Sequence, residues 1–416
     1  MTFRTRQTGV TLIELMVGLV IGLVALLVIG QSMAVFEGAK RTTTGGSDAQ
    51  TNGYAALLAM ERDIRMVGGG MVGANGRLVC EQATFRQYNG VQETPASSPP
   101  NGFLPPIRIV SGGSGVGGDA IVMMRANVEY GSPLPSLLQV NWVGTTNCAS
   151  EGALQEPTAN DANRGQGDLF LIAPAGSRRG IADLTTTPNA DPPCNLVQAS
   201  AKTDVGACPP FVPVAQPIKY LTLATAATQP YNNGPAPVPT AQGGDLVIAL
   251  GQSPYIRYGV ENNKLMLAEQ MKFVSNGNNY AASGDERQMD DIVYIAAQYG
   301  IDTDCASTVP GACGGVPASP ASQSVDRFVA PTGVWANTAL TPARFVRIKA
   351  IRLAVVARSP QYNPDLVSPA SITVWQKINA ADAAAPVFTG AGLDQHYRYR
   401  VFETVIPLKN MIWGQL

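Results

Sequence analysis

The chain has few charged residues and almost no histidine. Charged side chains make up 14% of its 416 residues, against roughly 25% in ordinary soluble domains. The net charge is −1, and loss of Arg4 and Arg6 with an N-terminal leader would make it −3. Nucleic-acid-binding domains carry a basic excess, so this composition indicates no nucleic-acid partner. A Ser-His-Asp triad would have to use the lone His396, and no G-x-S-x-G elbow is present.

The chain also lacks a zinc-binding cysteine spacing, because no C-x-x-C pair occurs and only one histidine is available. Six cysteines are present, an even number that fits disulfide bonds in an oxidising compartment: Cys80, Cys148, Cys194, Cys208, Cys305 and Cys313. Cys194–Cys208 and Cys305–Cys313 are candidate local pairs, since both lie in Pro/Gly-rich stretches that a cross-link would restrain. Cys80–Cys148 would then remain, although six cysteines allow many other connectivities.

A long apolar run follows a short basic leader. From Val10 to Gly30 the only charged residue is Glu14, and about 20 apolar residues are enough for a helix to cross a bilayer. A secretory signal has a shorter apolar stretch and a small-residue cleavage site after it; no such site occurs here before Gln31. Because Arg4 and Arg6 mark the cytoplasmic side, we expect residues 31 onward to lie outside the cytoplasm.

The residues around Gly9 carry a family signal. Gly9–Met16 resembles the class III signal of type IV pilins and type II secretion pseudopilins. The resemblance implies that a membrane prepilin peptidase cleaves between Gly9 and Val10, after which Val10 is N-methylated. Glu14 becomes the fifth residue of the mature chain, where that family carries its glutamate. Val10 departs from the phenylalanine that is usual at the first mature position.

Glu14 calls for a partner. An acid inside a membrane-spanning segment costs about 2.5–3.5 kcal/mol on insertion scales. When subunits leave the bilayer and stack their helices, Glu14 can meet the terminal amine of Val10 in a neighbouring subunit. Opposite charges attract more strongly in a dry environment, although desolvation offsets much of the gain. We therefore predict that this pair sets the register of helix stacking more than it adds stability.

The first long element is predicted as a helix from Thr11 to about Val67. Its outer half carries an apolar stripe at approximately helical spacing: Tyr54, Leu57, Met60, Ile64 and Val67. We expect this stripe to pack under a sheet. Residues 42–47 include two adjacent glycines, which weaken a helix, so a kink, a melted turn or a break is predicted there. Three glycines at 68–70 end the helix.

Beyond the helix, the sequence predicts strands separated by long loops, in keeping with its 43 glycines and 31 prolines. The predicted strands show β-branched or aromatic content bounded by turn residues: Ile107–Val110, Ala120–Arg125, Leu138–Val143, Asp168–Ala173, Ile218–Ala224, Asp245–Leu250, Tyr255–Glu261, Lys264–Ala268, Ile292–Tyr299, Ile348–Ala357, Ser371–Trp375 and Arg398–Pro407. The stretches predicted as irregular, and read as surface or binding loops because of their length, are 83–106, 144–166, 174–216, 225–243, 302–342 and 377–396.

Signals for a cofactor or metal are weak. Gly113–Gly118 satisfies G-x-G-x-x-G, but it precedes a strand instead of joining a strand to a helix, so a glycine loop is the better interpretation. Asp302 and Asp304 could offer oxygen ligands to calcium, although two acids ending a strand explain the pattern more simply. We predict no cofactor, no catalytic residue and no enzymatic activity.

Four further segments resemble the PilW family of minor pilins: residues 62–68 at the helix end, 292–302, 348–359 and 397–410. Together with the N-terminal signal, they imply an α+β, type IV pilin-like fold in which a long N-terminal helix packs on a large, loop-rich antiparallel β domain. The predicted divisions are a leader at 1–9, a membrane-spanning and assembly helix at 10–30, its periplasmic continuation at 31–67 and a β-rich domain at 68–416.

The resemblance implies a minor pilin that primes pilus assembly and sits at or near the tip of the fibre. The implied partners are other minor pilins, the major pilin, the inner-membrane assembly platform, the prepilin peptidase and a tip adhesin. The implied location is the inner membrane, with one span and the bulk of the chain in the periplasm, and later the pilus. A type II secretion pseudopilin and a membrane-anchored periplasmic enzyme or binding domain are the alternatives.

Overall fold

The computed structural model describes residues 9–68, 83–84, 105–124, 137–139, 153–156, 169–173, 194–198, 201–204, 219–222, 246–251, 255–270, 287–303, 324–345 and 347–413. Its three α-helices are α1 (Leu12–Arg65), α2 (Pro342–Phe345) and α3 (Lys409–Trp413), and short 3-10 turns occupy Gly115–Gly117, Gly333–Trp335 and Gly390–Gly392.

Nineteen strands are present in the described residues. They are β1 (Ala83–Thr84), β2 (Ile107–Val110), β3 (Ala120–Met124), β4 (Leu137–Gln139), β5 (Ala153–Glu156), β6 (Leu169–Ala173), β7 (Cys194–Gln198), β8 (Ala201–Asp204), β9 (Lys219–Thr222), β10 (Leu246–Gly251), β11 (Tyr255–Glu261), β12 (Lys264–Gln270), β13 (Arg287–Asp290), β14 (Ile292–Ile301), β15 (Arg327–Val329), β16 (Ile348–Arg358), β17 (Ser371–Thr373), β18 (Val387–Thr389) and β19 (Tyr399–Pro407).

The N-terminal helix begins and ends where its sequence predicts. Thr11 is the N-cap, with an extended backbone and a side chain that accepts the Glu14 N–H. At the other end Gly68 adopts a φ of +78°, the left-handed conformation that glycine takes after a helix. The helix continues through residues 42–47 without interruption, so the predicted melted turn or break is wrong. Gly45 is buried there against Ser359 and Gln361, and this packing offsets the low helix propensity of glycine.

A four-stranded antiparallel sheet, in the order β15-β14-β16-β19, forms the centre of the domain. Its two central strands, β14 and β16, are buried on both faces, which explains the nearly continuous apolar run of β16. One face packs with the outer half of α1 in the main core, and the other packs on Val374, Trp375 and Phe388.

The main core confirms most of the predicted helix stripe. Leu57, Met60, Ile64 and Val67 are all buried, but Tyr54 is exposed, so its prediction as a core residue is wrong. Ala49 and Ala56 are buried instead, because the sheet approaches the helix too closely for large side chains there. A Cβ on Gly53 would overlap the Phe402 ring and lie 3.0 Å from the Ala357 Cβ.

A second sheet, in the order β13-β12-β11-β3-β2, joins the first through a glycine loop. The loop spans Gly112–Gly118, and the Asp119 N–H after it donates to the Ile295 carbonyl at 2.9 Å. The Asp119 carboxylate accepts the N–H of Gly112 at 3.1 Å and that of Ala297 at 2.9 Å. Burial raises the pKa of Asp119, although these bonds and Ser111 act in the opposite direction. The loop thus serves to join two sheets.

Three further sheets complete the described architecture: β1-β7-β6-β10-β4, β5-β9-β8 and the pair β17-β18. Pairing between strands is antiparallel throughout except between β1 and β7. With one long apolar helix followed by a mostly antiparallel β domain, the molecule has the predicted α+β, pilin-like fold.

All twelve predicted strands are present, with some differences at their ends, but seven observed strands were not predicted. These are β1, β5, β7, β8, β13, β15 and β18. All but β13 lie in stretches predicted as irregular, so those predictions are wrong at these positions. Most are short and without an apolar pattern, such as AT, AKTD and RQMD. Their conformation depends on the strand alongside, because β propensity is largely contextual. The predicted loop 225–243 lies outside the described residues.

Candidate assembly site along the N-terminal helix

The start of the helix presents the predicted processing and assembly residues together. Gly9 and Val10 are exposed and precede the helix, so the bond between them lies outside it. The Glu14 N–H donates to the Thr11 Oγ1 at 3.3 Å and to the Thr11 carbonyl at 3.1 Å. Thr11-Leu12-Ile13-Glu14 has the Thr-x-x-Glu order of a capping box. This cap is not among the features predicted from the sequence, although the Thr-x-x-Glu spacing indicates it.

Glu14 therefore has a local role besides any partner. An acid in the first turn is favoured by the positive end of the helix dipole. Its side chain is exposed, and among the described residues it forms no ion pair. The carboxylate is thus placed one turn into the helix and is accessible to a group from another molecule.

The first half of the helix is exposed in the part of the chain that the structure describes. Leu12–Met33 is long and apolar enough to cross a membrane, and none of it is buried. Water is a poor solvent for such a surface, because burying apolar area is worth about 25 cal/mol per Å². This half fits membrane anchoring, and later contact with other helices.

The outer half of the helix is fixed firmly to the domain at its far end. The Tyr258 hydroxyl of β11 donates to Asp63 at 2.7 Å. The Asn410 amide of α3 donates to the carbonyls of Met66 and Val67 at 3.2 and 3.0 Å. The second sheet and the C-terminal helix thereby contact the last turns of α1. The exposed half extends from this fixed base.

A groove of about 520 Å³ lies beside the docked half of α1. Its lining comes from the helix and from the edge strand β19: Ser47, Gln50, Thr51, Tyr54, Ala55, Leu58 and Phe402. Tyr54 and Leu58 are 56% and 44% exposed. The groove continues the unpacked face of the helix from the exposed half into the domain.

Several sequence-predicted residues cannot be placed at a site. Cys80, Cys148, Cys208, Cys305 and Cys313 lie outside the described residues, and of Cys194 only the backbone in β7 is described. The proposed disulfide pairings therefore stay predictions. The His396 Nδ1 lies 2.9 Å from the Asn363 carbonyl, which can only accept, so the ring donates there; the ring also stacks on Tyr362. Its surroundings are those of a surface packing residue.

The calcium prediction also stays open, because Asp304 lies outside the described residues. Asp302 is buried, and its charge acts on Lys349. Burial lowers the pKa of Lys349, and Asp302 opposes that shift. In the part of the chain that the structure describes, no group of three or more His, Cys, Asp or Glu side chains could hold a metal ion.

Two protein families match parts of the chain. The family described as prokaryotic N-terminal methylation motif matches residues 4–30, which include Gly9, Val10 and Glu14. The family described as PilW, type IV pilus-assembly protein W, matches residues 255–410, from β11 to the start of α3. Residues 31–254 lie outside both matches. Comparison with curated proteins returns no match, and neither does comparison with solved structures.

These matches identify the class of the protein at its two ends. Its N-terminus is that of a class III prepilin. The match over residues 255–410, together with the N-terminal motif, supports a PilW-type class III prepilin and a type IV pilin-like minor pilin. The PilW family is structural, which suggests a subunit of an assembly and not an enzyme. Pilin class and prepilin motif imply contact with other pilus components and processing by a prepilin peptidase.

Proposed function

We propose that this minor pilin primes pilus assembly with other minor pilins and occupies a position at or near the fibre tip. The observation that carries the proposal is the uncovered apolar half of α1, with an accessible Glu14 in its first turn and a rigid base in the domain. Such a helix satisfies its surface only in a membrane or against other helices. A domain of this size would obstruct close packing along a shaft, which favours the end of the fibre.

Processing comes first in the proposed sequence of events. The prepilin peptidase cleaves between Gly9 and Val10, and the new amine on Val10 is methylated. Because Val10 lies directly before the Thr11 cap, cleavage leaves the cap intact. When the helices of two subunits pack side by side, the charged Val10 amine of one subunit then lies close to Glu14 of the other.

Glu14 then aligns the subunits. In the membrane its carboxylate lies near the end of the apolar span, where the free-energy cost of burying a charge depends on its depth in the bilayer. When the helix moves into a bundle with the assembly platform, pairing with a neighbour's Val10 amine relieves that cost. The groove at Tyr54 and Leu58 lies further along the same helix, and a helix of the major pilin or another minor pilin that packs on Leu12–Met33 would reach it. A tip adhesin is a further partner of the domain beyond.

The test compares Glu14→Gln with Glu37→Gln, an exposed acid on the same helix beyond the span. Removing one partner of a buried ion pair costs about 3–5 kcal/mol. We therefore expect more than about tenfold less Glu14→Gln subunit in sheared pili, and fewer pili. Glu37→Gln should match the parent. Mass spectrometry of the N-terminus should show cleaved, methylated Val10 in both variants.

Three outcomes of gene deletion distinguish the alternatives. Loss or strong reduction of surface pili supports the pilin role, and immunogold label on the domain should then mark fibre ends. Blocked protein export with normal pili would identify a type II secretion pseudopilin. If neither changes, and Glu14→Gln is incorporated as well as the parent, the assembly role is wrong and a membrane-anchored periplasmic function is favoured.

A further inference from the structure

One end of the β domain is turned toward the membrane-spanning half of the helix. Along α1, Gly53 faces Ala357 and Phe402, whereas Gly45 faces Ser359 and Gln361. At the far end Gly68 contacts Met411. The end of β16 at Arg358 therefore lies nearer the N-terminus of α1 than the start of that strand. Because β19 is antiparallel to β16, its first residue, Tyr399, lies at the same end. The segments beyond these strand ends lie on the membrane side of the domain.

Two of these segments form a surface that we name the membrane-proximal rim, residues 359–368 and 394–398. Backbone bonds hold them together: Ser359 N–H to the Arg398 carbonyl at 2.8 Å, Asn363 N–H to the His396 carbonyl at 2.9 Å, and Val367 N–H to the Gln395 carbonyl at 2.9 Å. The Ser368 hydroxyl adds a bond to the Tyr397 carbonyl at 2.6 Å. The rim is thus an ordered surface, although it lacks regular secondary structure.

The rim exposes large apolar side chains. Tyr362 is 57% exposed and Leu366 is 66% exposed. Tyr362 is held from behind, stacked on His396 with 4.8 Å between ring centroids and edge-on to Tyr397 at 5.7 Å. Arg358 lies over the other aromatic ring, 4.4 Å from the centroid of Tyr397. Tyrosine with a wet hydroxyl and an apolar body is the side chain enriched where membrane meets water.

The distance to the bilayer fits this placement. The apolar span ends at Met33. From Met33 to Gly45 the helix rises about 18 Å. The headgroup layer takes about 5–7 Å of this distance. About four residues of extended chain cover the rest, and the rim continues past the level of Gln361 to Leu366 and Ser368.

The exposed charges on the rim and at the start of β19 are balanced. The rim exposes Arg398, Asp365 and Asp394, and β19 exposes Arg400. A strongly anionic or cationic ligand is therefore not indicated. The arginines can bind the phosphates that all phospholipids carry. Tyr362 and Leu366 can insert at the border between the headgroups and the hydrocarbon core.

We propose that, before assembly, the membrane-proximal rim rests in the phospholipid headgroup layer of the same bilayer that holds α1, with Tyr362 and Leu366 inserted. This contact sets the tilt of the domain and shields the apolar rim until the subunit leaves the membrane. The proposal rests on membrane insertion of α1, and the experiment below separates failure of insertion from failure of the rim contact.

The experiment places the photo-crosslinking residue p-benzoylphenylalanine singly at Tyr362, Leu366, Tyr54, Leu58 or Leu27 of the full-length chain. Each protein is reconstituted in vesicles of phosphatidylethanolamine and phosphatidylglycerol, irradiated and analysed for phospholipid adducts by mass spectrometry. Tyr54 is the matched control, because its exposure is nearly that of Tyr362 and it lies about 14 Å further along the helix than Gly45. Leu27 lies within the span and reports insertion.

We expect adducts at Leu27, Tyr362 and Leu366, with at least about fivefold lower yield at Tyr54 and Leu58, which lie beyond the headgroup layer. Tyr362→Ser should lower the yield at Leu366 several-fold, and Tyr54→Ser should leave it unchanged. No adduct at Leu27 would mean that membrane insertion itself fails. An adduct at Leu27 without one at Tyr362 and Leu366, equal yields at Tyr54, or adducts to protein instead of lipid would each overturn the rim proposal.

Discussion

At the residue scale, single buried polar groups hold segments that have no sheet of their own. Asp382 accepts the N–H groups of Phe328 and Ile378 at 2.9 Å and of Asn379 at 2.7 Å. Burial alone would raise the pKa of Asp382, but these donors and Arg352 outweigh it and keep the pKa below its usual value. One carboxylate thus fixes the segment after Trp375 against β15.

This arrangement predicts a pH dependence of stability. Because the pKa of Asp382 is lower in the folded than in the unfolded chain, its contribution is complete above about pH 4 and is lost as pH falls through the folded value. Asp382→Asn should lower the free energy of unfolding at pH 7 by about 1–3 kcal/mol and flatten its decline below pH 4. Denaturant titrations across pH 2.5–7 measure both effects. The exposed Asp365→Asn is the control, and an equal effect there would contradict the assignment.

At the element scale, α1 is one helix with two environments. Its first half is exposed, and its second half is docked so closely that small residues, Ala49, Gly53 and Ala56, occupy part of the buried face. Glycine has a different effect at two nearby positions. A Cβ on Gly53 would overlap Phe402, whereas a Cβ on Gly46 meets nothing within 4 Å.

The two glycines make a matched pair for testing the docking. Gly53→Ala should destabilise the protein by about 1–3 kcal/mol, because Phe402 must move in a packed core. Gly46→Ala should stabilise it by about 0.5–1 kcal/mol, because alanine has the higher helix propensity. Chemical denaturation of both full-length variants in the same detergent measures the difference. If Gly53→Ala were as stable as Gly46→Ala, the close approach of β19 to the helix would be refuted.

At the scale of the whole molecule, the sheets β15-β14-β16-β19 and β13-β12-β11-β3-β2 are joined by a few buried hydrogen bonds. Besides the Asp119 loop, the Tyr299 hydroxyl of β14 accepts the Ile109 N–H of β2 at 2.6 Å. Burial strongly raises the pKa of Tyr299, so its hydroxyl remains protonated and neutral. The bond gives one N–H group of the edge strand β2 a hydrogen-bond acceptor.

Tyr299→Phe tests this connection with little change in volume. It leaves the Ile109 N–H without its acceptor in a buried place, at a cost of about 1–3 kcal/mol in the free energy of unfolding. The exposed Tyr54→Phe should stay within about 0.5 kcal/mol of the parent. Hydrogen exchange should also accelerate at Ile109. Unchanged exchange and stability in Tyr299→Phe would mean that the two sheets do not depend on this bond.

The sequence alone determined the class of the protein and the type of its fold. Gly9, Val10 and Glu14 lie in a short local pattern read without reference to the rest of the chain. Long apolar strands such as β14 and β16 were predictable because their own residues favour extended, buried structure. The helix ends were predictable from Thr11 and from the glycines at 68–70, because caps are local interactions.

Only the tertiary structure determined which side of α1 packs against the β domain and which residues it contacts there. Tyr54 belongs to the sequence stripe but is exposed, because Gly53 is the residue that faces β19 and the next residue of a helix is turned about 100° away from it. The helix survives its two adjacent glycines because Gly45 is packed against Ser359 and Gln361. Short strands such as β8 and β13, and the exposed rim at Tyr362, depend on partners far away in the chain, and local sequence carries no signal for contacts of that kind.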